Sequence, residues 1–224
     1  MEDRTKNSSS EARRDILEAM LRHVPFDGWT KTAMRKAINE VELPSGADAL
    51  FFPGGPLEIL EFWAEQLDQQ AGMIIANKGL GNLRIRDKIT ECVWVRLSLL
   101  DGHEQAARRA ISRLALPDAV GAGPKHVWRT ADMIWRAIGD TSTDGNFYSK
   151  RAILSGVIAS SAVKWLADNS AEKAESRAFL EARISNVMQF EKAKFQFRKA
   201  REHWPDPVSL LGRLRYGHRR RRYR

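Results

Sequence analysis

Gly28-Trp29-Thr30, the run Lys31 to Val41, Leu43-Pro44-Ser45-Gly46, Ala47 to Phe52 and Pro53-Gly54-Gly55-Pro56-Leu57-Glu58 form the stretch that decides the fold. Ala33, Met34, Ala37, Ile38 and Val41 recur at helical spacing. Pro44-Ser45-Gly46 breaks that pattern, and a short apolar segment follows to Phe52. Pro53-Gly54-Gly55-Pro56 stops the chain again, and Pro56 suits the first turn of a helix running to about Asn77. Upstream, Ile16, Leu17, Met20 and Leu21 predict a helix within 11–23. The order is helix, helix, turn, short helix, long helix.

The same periodicity continues outward. It predicts helices over 83–100, 103–115, 124–139, 146–168 and 171–203, and Asp206-Pro207 reads as the start of a last short one. No stretch alternates cleanly with period two, and no internal repeat is visible. The expectation is an all-α fold of nine to ten helices. Residues 1–10 are polar and read as a disordered N-terminus without the apolar core of a signal peptide. No apolar run approaches the ~20 residues that span a bilayer. Ala152 to Val163 carries Ser155, Gly156, Ser160 and Ser161 and reads as a buried helix.

The first sixty residues resemble the N-terminal region of the TetR family, whose order is a helix, a helix-turn-helix and a following helix. That resemblance implies a TetR-like bundle. DNA binding does not follow from it here. A recognition helix needs Lys or Arg beside phosphates, and the segment in that position is Ser45-Gly46-Ala47-Asp48-Ala49-Leu50-Phe51. Residues 37–77 contain no Lys or Arg and sum to −7. The helix-turn-helix of residues 11–55 therefore reads as degenerate, with no DNA partner, although a TetR-type transcriptional regulator stays as the alternative.

The formal net charge of +9 is unevenly placed. Residues 1–191 sum to −1, and residues 192–224 to +10. One cysteine excludes a disulfide framework and a multi-Cys zinc site. His23, His103, His126, His203 and His218 have no ExxH or HExxH spacing. Cys92 has no CxxC partner and reads as a small buried hydrophobe. Gly79-Leu80-Gly81 begins like a dinucleotide fingerprint, but Arg84 replaces the third glycine. GxSxG and GxxxxGK[ST] are absent. The expectation is no catalysis, no metal and no cofactor; an acid–base pair assembled only in three dimensions remains open.

The most distinctive stretch is Ile138-Gly139-Asp140-Thr141-Ser142-Thr143-Asp144-Gly145-Asn146-Phe147-Tyr148-Ser149-Lys150-Arg151. With Gly28-Trp29-Thr30, Phe52-Pro53-Gly54-Gly55-Pro56, Leu116-Pro117 and Trp165 to Ser170 before Phe179-Leu180-Glu181, it resembles the ubiquinone (coenzyme Q) biosynthesis accessory proteins of mitochondria and alphaproteobacteria. The likeness covers roughly residues 12–190. It implies a TetR-like fold without DNA binding and an apolar pocket for lipids, including isoprenoid quinone intermediates. It also implies docking on the diiron demethoxyubiquinone hydroxylase, and membrane attachment through a C-terminal amphipathic helix. Asp140, Asp144, Phe147, Tyr148 and Arg151 would belong to the docking patch. The family pattern has an aromatic residue between Asp144 and Asn146, and this chain has Gly145. Read from the residues alone, Thr143 or Asp144 simply caps the helix at 146–168. Adjacent Phe147 and Tyr148 cannot both face one core.

Trp94, Leu97, Trp128, Met133, Trp135, Leu154 and Val157 fall on predicted helices, and with Trp63, Ile134 and Trp165 they wall either a lipid cavity or an ordinary core. Leu180, Ile184, Val187 and Met188 read as core, and Phe190, Phe197 and Trp204 as a second row facing a partner helix or continuing that core. Val208, Leu210, Leu211 and Leu214 form one face of the last helix, with Arg213, Arg215 and the run Arg219 to Arg222 beside it. That composition suits an interfacial helix on an anionic membrane, with RNA binding as the competing reading of the arginines. The expected organisation is thus 1–10, 11–55, a lipid-binding and partner-docking body over 56–204, and an amphipathic helix with basic tail over 205–224. A homodimer is expected from TetR-like pairing. The expected location is the cytoplasm, peripheral on the inner membrane, or the matrix side in a mitochondrion.

Overall fold

The computed structural model describes residues 2–44, 46–143 and 145–202, with side chains between 9 and 189. Among the described residues there is no strand. Nine α-helices follow in order: α1 Glu2–Asp27, α2 Lys31–Glu40, α3 Ala47–Phe51, α4 Pro56–Asn77, α5 Ile85–Ser98, α6 Glu104–Leu114, α7 Ala122–Ala137, α8 Gly145–Ala167 and α9 Ala174–Glu202. Short 3-10 turns at Leu80–Asn82, Pro117–Ala119 and Ala171–Lys173 join some of them.

The first 27 residues depart from expectation. Helix α1 starts at Glu2, through the polar residues read as disordered, and runs on past 23 to Asp27. Its first turns carry no apolar face, so periodicity could not register them. Elsewhere local chemistry sets the ends. Thr30 caps α2, its hydroxyl accepting from the Ala33 N–H at 3.3 Å. Glu58, in the first turn of α4, reaches back to accept from the Gly54 N–H at 2.8 Å. Gly46 takes a positive φ of 93° where the chain enters α3.

Two compact units divide the chain, 1–184 and 185–224. Within the first, α1 packs on α2, α3 and α6, while α4 packs on α5 and α7, and α7 on α8. The expected division at 55/56 is not a break in packing. Trp29, just before α2, stacks on Trp63 of α4 with centroids 5.3 Å apart, and its Nε1 donates to the Ala106 carbonyl of α6 at 3.1 Å. The Arg13 guanidinium of α1 lies over the Phe52 and Phe62 rings and pairs with Glu58 at 3.1 Å. Ile16, Ala19, Met20, Val24, Ile59, Val93, Ile134 and Leu180 are sealed from solvent. Each large apolar side chain buried this way contributes about 1.5–3 kcal/mol, against about 0–1 for an exposed ion pair. Burial holds the bundle, and the ion pairs refine it.

Leu180 and Ile184 are core, as expected, whereas Val187 is half-buried and Met188 exposed. The side chains of Phe190, Phe197 and Trp204, and everything proposed for residues 205–224, lie outside the described residues. Among the described residues, no helix is long and apolar enough to cross a membrane.

Candidate functional site

Two features stand out in the first unit: a polar network under the α7–α8 junction and a cavity in the bundle.

The network begins where α7 ends. Gly139 takes a left-handed φ of 84°, its N–H bonds to the Arg136 carbonyl at 3.0 Å, and the Asp140 N–H bonds to the Trp135 carbonyl at 2.9 Å. This is a Schellman ending, and it turns Asp140 back toward α8. There Asp140 accepts from Lys150 Nζ at 2.7 Å, Ser142 Oγ at 2.9 Å and Arg151 Nη1 at 3.2 Å. Burial by itself would raise the Asp140 carboxyl; the hydrogen bonds from Lys150, Ser142 and Arg151 outweigh it and bring it down to about 2. Arg151 is 1% exposed. It also donates to Asp132 Oδ1 at 2.6 Å and to the Phe147 carbonyl at 3.2 Å, and it lies 3.5 Å from the centroid of the Phe147 ring. Trp135 Nε1 donates to the Lys150 carbonyl at 3.2 Å.

The expected docking residues thus fall into layers. Arg151 and Asp140, expected on the surface, lie beneath it, because each charge needs the other for partner. Phe147 is half-buried under Arg151. Tyr148 is 64% exposed, 5.1 Å from Phe147 and 6.3 Å from Trp128 between ring centroids. Asp144 lies outside the described residues. Asp132 and Lys150 complete the network and had no distinguishing signal, since ion pairs between helices follow no sequence spacing.

The cavity has a volume of about 150 Å³ and lies among α4, α5, α6, α7 and α8. Leu60, Trp63, Leu67, Leu97, Ala107 and Ile158 give its apolar wall. Arg96, His126 and Thr130 supply a polar edge. Arg96 and Thr130 both donate to the buried Asp68, at 2.7 and 2.9 Å. Burial lowers the pKa of His126, partly opposed by Glu61 at 3.6 Å, which favours the neutral ring. Of the ten residues expected to wall a lipid cavity or an ordinary core, Trp63 and Leu97 line this one. Trp94 lines a second, open cavity of about 380 Å³ with Ser98, Asp101, Trp165, Ser170, Glu172 and Lys173. Leu154 and Val157 are buried, and Trp128, Met133 and Trp135 half-buried, without lining either cavity. Sequence reasoning missed Leu60, Leu67, Ala107 and Ile158, because periodicity marks a buried face but not the gaps between faces.

Cys92 is fully buried, and burial pushes its thiol up to about 11, so it is no nucleophile at neutral pH. Among the described residues no group of three or more His, Cys, Asp or Glu side chains is placed to hold a metal ion.

Residues 120–191, which contain the whole α7–α8 junction, match the COQ9 family. The chain is 29% identical to the bovine mitochondrial ubiquinone biosynthesis protein COQ9 over 195 residues, covering 84% of this chain and 60% of that protein. The human COQ9 protein is 27% identical, over 84% of this chain and 61% of its own length. The Drosophila melanogaster protein is 26% identical, over 85% and 60%. This chain therefore spans about 60% of the length of the curated relatives it matches. The crystal structure of a TetR transcriptional regulator from Nitrosomonas europaea superposes with a TM-score of 0.63 at 14% identity, over 80% of this chain and 99% of that one. The fold is TetR-like; at that identity the likeness is one of fold alone.

Proposed function

We infer, from the likeness of residues 120–191 to the COQ9 family and of most of the chain to curated COQ9 proteins, that it serves ubiquinone biosynthesis as a lipid-binding accessory protein rather than a catalyst. In this reading it holds an isoprenoid quinone intermediate at the membrane and presents it to the diiron demethoxyubiquinone hydroxylase. The observation that carries the reading is the apolar cavity within the bundle. A cavity of about 150 Å³ takes one benzene-sized ring or a few carbons of a chain. It therefore suits one part of a long amphipathic lipid, with the remainder outside. A lipid confined to the bilayer loses hydrophobic stabilisation, about 25 cal/mol per Å² of apolar surface, whenever it is pulled into water. A protein that covers even part of it lowers that cost.

Tyr148 is the exposed anchor suited to the hydroxylase, with the Arg151 network fixing its helix beneath. A homodimer, a basic tail on an anionic membrane and a location peripheral to the inner membrane complete the proposal; the relatives are named as mitochondrial. A TetR-type regulator is disfavoured by α3, whose five residues Ala47–Phe51 contain Asp48 and no basic residue.

Native mass spectrometry of the purified chain is expected to show a co-purified isoprenoid or phospholipid. Lipid-free protein that also fails to take up a short-chain quinone would overturn the reading. Tight sequence-specific binding to duplex DNA at physiological salt would replace it with the regulator. For the docking surface, Tyr148→Ala is expected to abolish capture of the hydroxylase while changing stability by less than about 0.5 kcal/mol. Undiminished capture would remove Tyr148 from the interface.

A further inference from the structure

We propose that the connection from α4 to α5, residues 73–88, is a contact site for an anionic membrane surface, separate from the C-terminal tail. It rests on the reading above that the protein works at a membrane, and it names a second place where the membrane is met.

The segment gathers apolar side chains in water. Met73, Ile74, Leu83 and Ile85 are 62%, 39%, 43% and 49% exposed within thirteen residues of chain. Single exposed hydrophobes need no explanation, but a cluster does. Buried Ile75 and Ile89 anchor the two ends. Between them, Gly79 at a φ of 66° and the 3-10 turn Leu80–Asn82 reverse the chain, closed by the Leu83 N–H donating to the Leu80 carbonyl at 3.1 Å. The segment is thus a held projection.

Its charge supplies the choice of partner. Lys78, Arg84, Arg86 and Lys88 stand against Asp87 alone, a net +3 over residues 78–88. Lys78 pairs with Glu91 at 2.6 Å and Arg86 with Asp87 at 3.1 Å. Among the described residues Arg84 and Lys88 have no ion pair, although carboxylates are plentiful elsewhere on the bundle. In Leu83-Arg84-Ile85-Arg86, aliphatic side chains alternate with cations. That arrangement suits a leaflet, where alkyl groups enter the headgroup layer and basic groups meet lipid phosphates. No aromatic residue occurs in 73–88 to stack a nucleobase or anchor a protein interface.

The test needs a local readout, because the Arg-rich tail would mask the loop in a bulk binding assay. Cys92 is the one native cysteine, and it is fully buried with a raised pKa. A full-length Leu83→Cys variant therefore takes an environment-sensitive fluorophore at position 83. On vesicles of mixed phosphatidylglycerol and phosphatidylcholine, the label is expected to shift to the blue and resist an aqueous quencher. Phosphatidylcholine alone is expected to give neither effect. Each basic group near an anionic surface is worth about fivefold in affinity, so Arg84→Ala with Lys88→Ala should weaken the response at position 83 about 25-fold. A label at 83 that stays in water while the same label at Leu214→Cys inserts overturns the loop and leaves the tail standing. Insertion at 83 without insertion at 214 supports the loop and removes the tail. Shielding at 83 that appears only on adding RNA or a protein partner also overturns the proposal.

Discussion

Arg151 shows how one side chain can govern a surface it does not reach. Its guanidinium is held by Asp132, Asp140 and the Phe147 carbonyl, with the Phe147 ring against its face. Such a buried cluster gains little net energy, since desolvation offsets attraction, but breaking it is costly. Arg151→Met is therefore expected to destabilise the fold by about 3–5 kcal/mol, measured by urea unfolding, as two carboxylates lose their shared cation. A cost below about 1 kcal/mol would mean the cluster is wetter than described. The depressed pKa of Asp140 gives a pH dependence of definite sign. The fold favours its ionised form, so its contribution is full above about pH 4 and drains away as pH falls toward 2. The unfolding midpoint of the native chain should fall more steeply over that window than that of Asp140→Asn.

At the scale of elements, the α7–α8 junction was legible in part. The turn residues Gly139 to Asp144 announce a helix end and a cap, and α8 begins at Gly145, one residue before the expected 146. Helices α4, α5, α6 and α7 fall within two residues of the predicted bounds, because their buried faces impose a period on the sequence. What stayed hidden was depth. Nothing in Asp140-Thr141-Ser142 says that the acid points inward to Lys150 and Arg151; that follows only from the packing of α8 on α7. The cavity was hidden for a related reason, since Leu60, Ala107 and Ile158 come from three helices and look like ordinary core residues. Gly139→Ala tests the junction. A Cβ there meets nothing within 4 Å, so the cost is backbone strain alone, about 1–2 kcal/mol for a left-handed residue. Thermal melting should register that loss, and an unchanged midpoint would show that the turn relaxes.

Across the whole molecule, charge and space divide the work. The region over 37–77 carries no Lys or Arg, and several of its acids pair with bases elsewhere: Glu40 with Arg22, Glu58 with Arg13, Glu65 with Arg129 and Asp68 with Arg96. Within the first 55 residues Asp48 of α3 stays exposed, so the segment in the recognition-helix position offers an acid and no base. The cavity that α4 helps to line offers a further test. Ala107→Leu adds volume where Ala107 lines the space, and filling it is expected to raise stability by about 0.5–2 kcal/mol and, if the cavity holds lipid as proposed above, to displace it. Raised stability with lipid retained would place the lipid elsewhere. The stacked pair Trp29 and Trp63 then acquires a use of its own. Trp63 lines the cavity on one side and stacks on Trp29 on the other, with the planes 29° apart. The molecule thus carries two coupled chromophores against the wall of its own chamber. Their near-ultraviolet dichroism and emission form a built-in optical gauge of occupancy, readable without any label.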